Sequence, residues 1–315
     1  MRVTQGPFAA LRGAARSALT IGNFDGVHLG HQAMLARVRE AALARGLESC
    51  VLTFEPQPRE FFAPREAPAR LTPLRNKLEL LEAAGIEHAH VEGFDAHFAA
   101  LTPERFAGEV LADALGCRWL LVGRDFRYGA KRSGDFAALE AAAGRHGFAL
   151  EPMPEVAHAG ERISSSVVRS ALAAGDLRRA ALLLGRPFSI AGEVVHGDRL
   201  GRELGFATAN IALEGDRAPV RGIYVVEATG VEPGTRPWPG VASVGTRPTV
   251  KTGGATLLEV HLFDFAGELY GRYLEVRFLA RLREEEKYPG LDALRAAIAR
   301  DVAQAKDYFV NRKHG

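Results

Sequence analysis

The 315-residue chain is poor in cysteine, with only Cys50 and Cys117, and holds just three methionines and two tryptophans. Each cysteine opens a short apolar run, 50–54 and 117–122. The expectation is therefore a pair of buried, reduced thiols rather than a disulfide scaffold or a catalytic thiol. No apolar stretch approaches the roughly 18 residues of a membrane span. A dominant charge is lacking too: 40 Lys plus Arg face 38 Asp plus Glu, a net of +2. The longest acidic run is Glu284, Glu285 and Glu286, so no block is built to wrap nucleic acid or an anionic membrane, and neither is an expected partner.

What is present is ordinary for a folded protein. Hydrophobic residues make up 47% and charged residues 25%, close to the globular average, which excludes disorder and low-complexity scaffolding. The length fits two domains, each able to bury a core. Nearly all the positive charge is arginine, which fits phosphate or carboxylate binding and fits genome composition equally well. Residues 1–24 carry Arg2, Arg12 and Arg16 and no acid, a composition like that of a transit peptide. Residues 19–24 already belong to a strand and turn, however, which leaves too little room for a removable leader.

The first 184 residues alternate short apolar runs with helical patterns, the signature of β-α units and a parallel sheet. Met34, Leu35, Val38 and Ala41 keep helical spacing until Gly46. Thr72 and Pro73 open a helix with Leu74, Leu78 and Leu81 on one face and Gly85 behind, and Thr102 and Pro103 repeat the device. Phe106, Val110 and Leu111 lead to Gly116 and a strand over 118–122. Two short helices are predicted over 166–174 and 176–184, stopped by Gly175 and Gly185. From Pro187 onward the runs become strand-like, over 188–196, 222–229, 241–244, 256–263 and 273–279, which predicts a small β-barrel. Leu291, Leu294, Ile298, Val302 and Ala305 then form the apolar face of a helix that plugs one side of it.

Two constellations carry chemistry. Residues 19–32 read Leu-Thr-Ile-Gly-Asn-Phe-Asp-Gly-Val-His-Leu-Gly-His-Gln, an apolar strand, a glycine-rich turn and a helix start bearing His28 and His31. A helix N-terminus offers unpaired N–H groups to phosphate. Imidazoles three residues apart project to the same side of its first turn, where both can bond phosphate oxygens as charge develops. Alone, such a pair also reads as two surface or core histidines, or as part of a zinc site, although no Cys cluster or acidic third ligand stands nearby at a recognised spacing. The distinguishing context is Gly22, Gly26 and Gly30 around the histidines at a strand-to-helix junction.

With that run the chain resembles the HxGH nucleotidyltransferase superfamily, which transfers a nucleotidyl group from a nucleoside triphosphate and releases pyrophosphate. Residues 122–129 (Val-Gly-Arg-Asp-Phe-Arg-Tyr-Gly), followed by Arg132, Ser133, Gly134 and Asp135, are similar to a segment of the bacterial FAD synthetase module. Residues 163–169 (Ile-Ser-Ser-Ser-Val-Val-Arg) are similar to another. Serines at a helix start either simply cap it or also donate to phosphate, and Arg169, one turn in, can neutralise a triphosphate. The resemblance implies a Rossmann-like domain in which Gly22, Asn23, Phe24, Gly30, Ser164, Ser165 and Arg169 bind ATP phosphates. It makes His28 and His31 the catalytic groups and places Asp125 in the nucleotide or flavin pocket.

The second constellation lies in residues 192–210, where a strand enters a glycine-bearing loop with Gly197, Arg199 and Arg202 and then presents Thr208 and Asn210. In extended chain a spacing of two puts hydroxyl and carboxamide on one face, able to share a magnesium ion or a phosphate. A barrel rim with ordinary turn residues would read the same way. Further on come Gly222-Ile223-Tyr224, the run 243–249 (Ser-Val-Gly-Thr-Arg-Pro-Thr), Leu258-Glu259-Val260-His261-Leu262, Leu269-Tyr270-Gly271, and Leu282-Arg283 with Glu285 and Tyr288.

Together these segments look like riboflavin kinase, a compact antiparallel β-barrel. The resemblance implies Glu259 as the base for the ribityl 5′-hydroxyl, Gly197, Thr208 and Asn210 at Mg-ATP, and Arg283 at the flavin. Three residues depart from the family pattern: Ala207 stands where proline is usual, Tyr128 where Phe is, and Ser166 where Thr is. Losing the proline frees the loop, with a modest expected effect on affinity.

The two modules follow one another in the order of the bacterial bifunctional riboflavin kinase/FAD synthetase family. The resemblance therefore implies residues 185–315 phosphorylating riboflavin to FMN and residues 1–184 adenylylating FMN to FAD. ATP, riboflavin, FMN and FAD would be substrates or products, Mg2+ the metal, and the cytoplasm the location. Two rivals are a nucleotidyltransferase with another phosphate acceptor and a flavin-binding regulator with degenerate sites.

Overall fold

The computed structural model describes the chain apart from residues 12–14, 159, 198–200, 202–203, 214–216, 233, 235, 247–255 and 313–315. Arg12, Arg199, Arg202 and the Arg247, Pro248 and Thr249 part of the kinase-like pattern lie outside the described residues. The chain divides into two compact units. One comprises Met1–Pro68 and Leu74–Ser164, the other Ala69–Pro73 and Ser165–Gly315.

The first unit is built on a six-stranded sheet in the order β1-β4-β3-β2-β5-β6. Its strands are β1 (Arg2–Gln5), β2 (Ser17–Ile21), β3 (Glu48–Glu55), β4 (His88–Gly93), β5 (Cys117–Gly123) and β6 (Ala149–Met153). Every pairing is parallel, as the β-α alternation predicts. The central strand β2 is buried along its whole length. Helix Leu29–Arg45 packs Leu35, Val38 and Ala41 with Val51, Trp119 and Leu121 on one face of the sheet. Gly46 ends that helix in the left-handed conformation (φ 62°), which glycine adopts without a Cβ clash. Thr102 caps the helix that opens at Pro103, accepting the Arg105 N–H at 3.3 Å. This helix continues with π-type winding through Phe106–Ala114, so that the Leu115 N–H reaches the Val110 carbonyl. Cys50 and Cys117 are both free and buried, and burial pushes the Cys117 thiol up to about 12.

The strands β1, β4 and β6 have no counterpart in the periodicity reading, and β4 shows why. It buries His88, His90 and Glu92 on one face and Ala89 and Val91 on the other, so polar residues fill one of its two buried faces. These polar groups satisfy one another. Thr4 Oγ1 lies 2.8 Å from His88 Nε2 and 2.9 Å from His90 Nδ1, while Glu92 faces His90 Nε2 at 2.9 Å and accepts the Phe8 N–H at 2.8 Å.

Burial lowers His88 from 6.5 to about 4, with Arg2 and His90 adding repulsion. The unfolded chain then binds this proton first as pH falls. Stability from this site is complete above pH 6.5 and is lost as pH drops from 6.5 through about 4, roughly 3 kcal/mol in all and most of it by pH 4.5. Urea titrations at pH 7 and pH 4.5 should show that loss, and His88→Asn should flatten it.

In the second unit, helices Ser165–Ala173 and Leu177–Leu184 precede the barrel. Asp176 caps the second of them through the Arg179 N–H and Gly185 ends it. The barrel closes in the order β10-β13-β12-β11-β14-β9. Its strands are β9 (Ser189–Val195), β10 (Ala209–Ile211), β11 (Gly222–Thr229), β12 (Trp238–Thr246), β13 (Thr256–Leu262) and β14 (Tyr273–Arg283), all paired antiparallel. The remaining pair, β7 (Ala157–His158) and β8 (Glu161–Arg162), is a small hairpin in the first unit. Helix Leu291–Arg312 packs Ala305, Val302 and Phe309 against Ile223, Val225 and Val241, which is the predicted plug, except that Leu291, expected on the packed face, is exposed at the first turn.

Candidate active sites

In the first unit the chemistry begins where β2 ends. The turn into the following helix holds Phe24 (φ 48°), Gly26 (φ 87°) and Val27 (φ 39°) in left-handed backbone. A β-branched residue there is a genuine outlier, and such strain persists only where the surroundings over-determine it. Phe24, Asp25, Val27 and His28 are all buried.

His28 is the N-cap: its Nδ1 accepts the His31 N–H at 3.2 Å. The two imidazoles stack, centroids 3.7 Å apart at 15°, and the Phe24 ring lies 5.0 Å from His31. Gly30 gives this arrangement room, since a Cβ there would sit 3.1 Å from His28 Nδ1 and would press on the ring. His31 Nδ1 is buried with no hydrogen-bond partner among the described residues. Burial, with the charges of His28 and Lys77, holds His31 well below the usual imidazole range, so it is neutral at neutral pH.

The other residues predicted for this site divide by role. The Gly22 N–H is already paired with the Leu52 carbonyl, and the Asn23 carbonyl accepts from Thr53 Oγ1 at 3.4 Å. Together with Phe24, these residues shape the turn beneath the histidines. Asp125 is exposed and ion-paired with Arg162 at 2.9 Å, which lowers its carboxyl. Arg162 is absent from the sequence reading, although it stands immediately before the singled-out Ile163-Ser164-Ser165 run. Ser164 closes the first unit. Ser165 and Arg169 belong to the second, where Arg169 Nε donates to the Ala69 carbonyl at 2.7 Å.

In the second unit a cavity of about 330 Å³ brings together Thr208, Asn210, Glu259 and Arg283. Register explains part of this convergence, because Asn210 on β10 pairs directly with Glu259 on β13. Asn210 is buried and its Oδ1 has no hydrogen-bond partner among the described residues. Gly197 lies against the Asn210 carboxamide, in the space a Cβ would need. Ala207 is anchored despite the missing proline: its carbonyl accepts from His261 Nδ1 at 2.9 Å. Glu285, another cavity residue, is raised above the usual carboxyl range by burial.

Arg283 forks onto Asp301 of the closing helix at 2.8 and 2.7 Å, and the Tyr288 ring lies 5.8 Å from its guanidinium. Two of its N–H donors are therefore spent on holding that helix against the cavity. Asp301→Ala should cost roughly 2–4 kcal/mol by leaving this guanidinium without its carboxylate, a loss that thermal unfolding checks.

A parallel α/β unit with stacked histidines at its strand-to-helix turn, followed in the chain by a closed barrel whose cavity gathers Thr208, Asn210 and Glu259, fits a phosphate-transferring enzyme. The family described as FAD synthetase matches residues 12–167, and that described as riboflavin kinase matches residues 184–309. Over 291 residues the chain is 48% identical to the bifunctional riboflavin kinase/FMN adenylyltransferase of Escherichia coli K12, covering 92% of each. It is 49% identical to that of Pseudomonas fluorescens (91% of each) and 44% identical to that of Haemophilus influenzae (98% of this chain, 99% of the other).

The chain thus belongs to the bifunctional riboflavin kinase/FMN adenylyltransferase family: it phosphorylates riboflavin to FMN and adenylylates FMN to FAD. A crystal structure of a protein called a macrolide-efflux protein, from Streptococcus pneumoniae, shares the fold throughout. Its TM-score is 0.79 at 27% identity, covering 96% of this chain and 97% of that one. Among the described residues no helix is long and apolar enough to cross a membrane.

Proposed function

We propose that residues 1–184 carry adenylyl transfer at His28 and His31, and that residues 185–315 carry the kinase reaction at Thr208, Asn210 and Glu259. In the second reaction the ribityl 5′-hydroxyl attacks the γ-phosphorus of ATP, its proton passes to Glu259, and ADP leaves. The carrying observation is the buried, unpartnered Asn210 Oδ1, in register with Glu259 and sharing one cavity with Thr208.

An uncharged oxygen pair facing a carboxylate suits a hard cation that keeps most of its ligands from phosphate and water. Thr208 and Asn210 would hold Mg2+ with ATP, where it neutralises charge developing on the phosphoryl oxygens.

In the adenylyl transfer a phosphate oxygen of FMN attacks the α-phosphorus of ATP, and pyrophosphate departs. His28 and His31 bond the phosphate oxygens as their charge rises, Gly22, Asn23, Phe24 and Gly30 hold that mouth, and Ser164, Ser165 and Arg169 bind phosphate. Asp125, paired with Arg162, stands at the nucleotide or flavin pocket. Neither step needs a covalent enzyme intermediate, because positioning and charge stabilisation supply the rate. The ligands are small molecules, and the reduced thiols and the need for ATP fit the cytoplasm.

Riboflavin, ATP and varied Mg2+, with FMN and FAD separated over time, test the assignment. FMN formation should be lost when Mg2+ is chelated. In Asn210→Ala it should need more Mg2+ than in the wild type. An unchanged Mg2+ requirement in that variant would remove Asn210 from the metal site.

A further inference from the structure

Helix Leu74–Ala83 places Leu74, Lys77, Leu78 and Leu81 at positions i, i+3, i+4 and i+7, which form one face. Three leucines on that face are expected; the lysine is not, and it is wholly buried. An interior ammonium is tolerated only where polar atoms receive it. Lys77 Nζ donates to Thr53 Oγ1 at 3.4 Å, and Thr53 Oγ1 donates to the Asn23 carbonyl at the same distance. Thr53 is itself wholly buried on β3. This chain of contacts ends in the turn whose left-handed Phe24 and Val27 require an external hold.

We propose that Lys77 is a positioning residue for adenylyl transfer, its buried ammonium acting through Thr53 to fix the turn that presents His28 and His31 to the nucleotide. The same charge also acts on His31, helping to keep its imidazole neutral. Other buried ionisable groups of this turn and helix start are Asp25 and His28. A compact ammonium suits such a post better than a planar guanidinium.

The inference rests on the assignment of His28 and His31 to adenylyl transfer, and the test separates the two. In the full-length chain Lys77→Met should slow conversion of FMN to FAD on the order of 10- to 100-fold, as misplaced catalytic groups do. It should also move the acid limb of that reaction to higher pH, because His31 protonates more readily once the repelling charge is gone. Conversion of riboflavin to FMN by the same preparation should be unchanged. Lys77→Arg should keep the limb near its wild-type position. Thr53→Val keeps the charge and cuts the link, so it should lower the rate while leaving the limb in place.

An acid limb that stays put in a folded Lys77→Met, or an undiminished FAD rate in Thr53→Val, overturns the proposal. The second criterion decides alone if Lys77→Met fails to fold. If His31→Ala leaves FAD formation intact, the assignment of the histidines fails. If His31→Ala abolishes it while both Lys77→Met and Thr53→Val run at full rate, only the role of Lys77 falls.

Discussion

His31→Ala is expected to cut FAD formation from FMN by about 100- to 1,000-fold, the cost of removing one preorganised donor from a charge-stabilising site. His31 reaches its place through three constraints. His28 caps the helix and stacks against the His31 ring, Phe24 supports that ring from a strained turn, and burial keeps it neutral. Because the imidazole is already neutral well above its lowered pKa, FAD formation should not lose rate to His31 protonation until the pH falls below the ordinary imidazole range. Conversion of riboflavin to FMN should persist in the variant, which provides a check of folding within the same chain. Loss of both activities from a folded protein would show that the two reactions share one site.

The converse result is expected in the barrel. Asn210→Ala or Glu259→Ala should reduce FMN formation by a similar factor, roughly 100- to 1,000-fold, while FAD formation from supplied FMN continues. Asn210 is the sharper probe. Its Oδ1 has no partner among the described residues, so alanine removes an oxygen that is left for a ligand. Glu259→Gln adds a test of proton transfer: it keeps the shape and removes the base, so its deficit should match that of Glu259→Ala. Product separation after single-substrate incubations distinguishes the two half-reactions.

Much of this was legible from the chain. The helix stops at Gly46 and Gly185, the capping residues Thr102 and Asp176, the His28 helix start and the strand over 222–229 follow from local chemistry that the tertiary fold leaves unchanged. The single-face placement of Thr208 and Asn210 was likewise set by strand geometry. Strands β1, β4 and β6 escaped because none of them carries a run of apolar residues. β4 instead buries two histidines and a glutamate that satisfy each other and Thr4, β1 is a short polar edge, and β6 is a short edge containing Pro152. Lys77 had a readable signal, a lysine inside a leucine face, that an isolated helix pattern passes over as a solvent charge.

By itself the sequence determined the two-module order, the β-α and barrel textures, and the residue types at each chemical mouth, because turns, caps and alternation are properties of neighbouring residues. The tertiary structure alone decided what those residues touch. It set Asn210 opposite Glu259 through strand register, spent the Arg283 fork on Asp301, tied Asp125 to Arg162, stacked His31 on His28, and put an ammonium behind the histidine turn. Each is a contact between groups distant in sequence or turned by a strained backbone, and such contacts exist only once burial has fixed one arrangement.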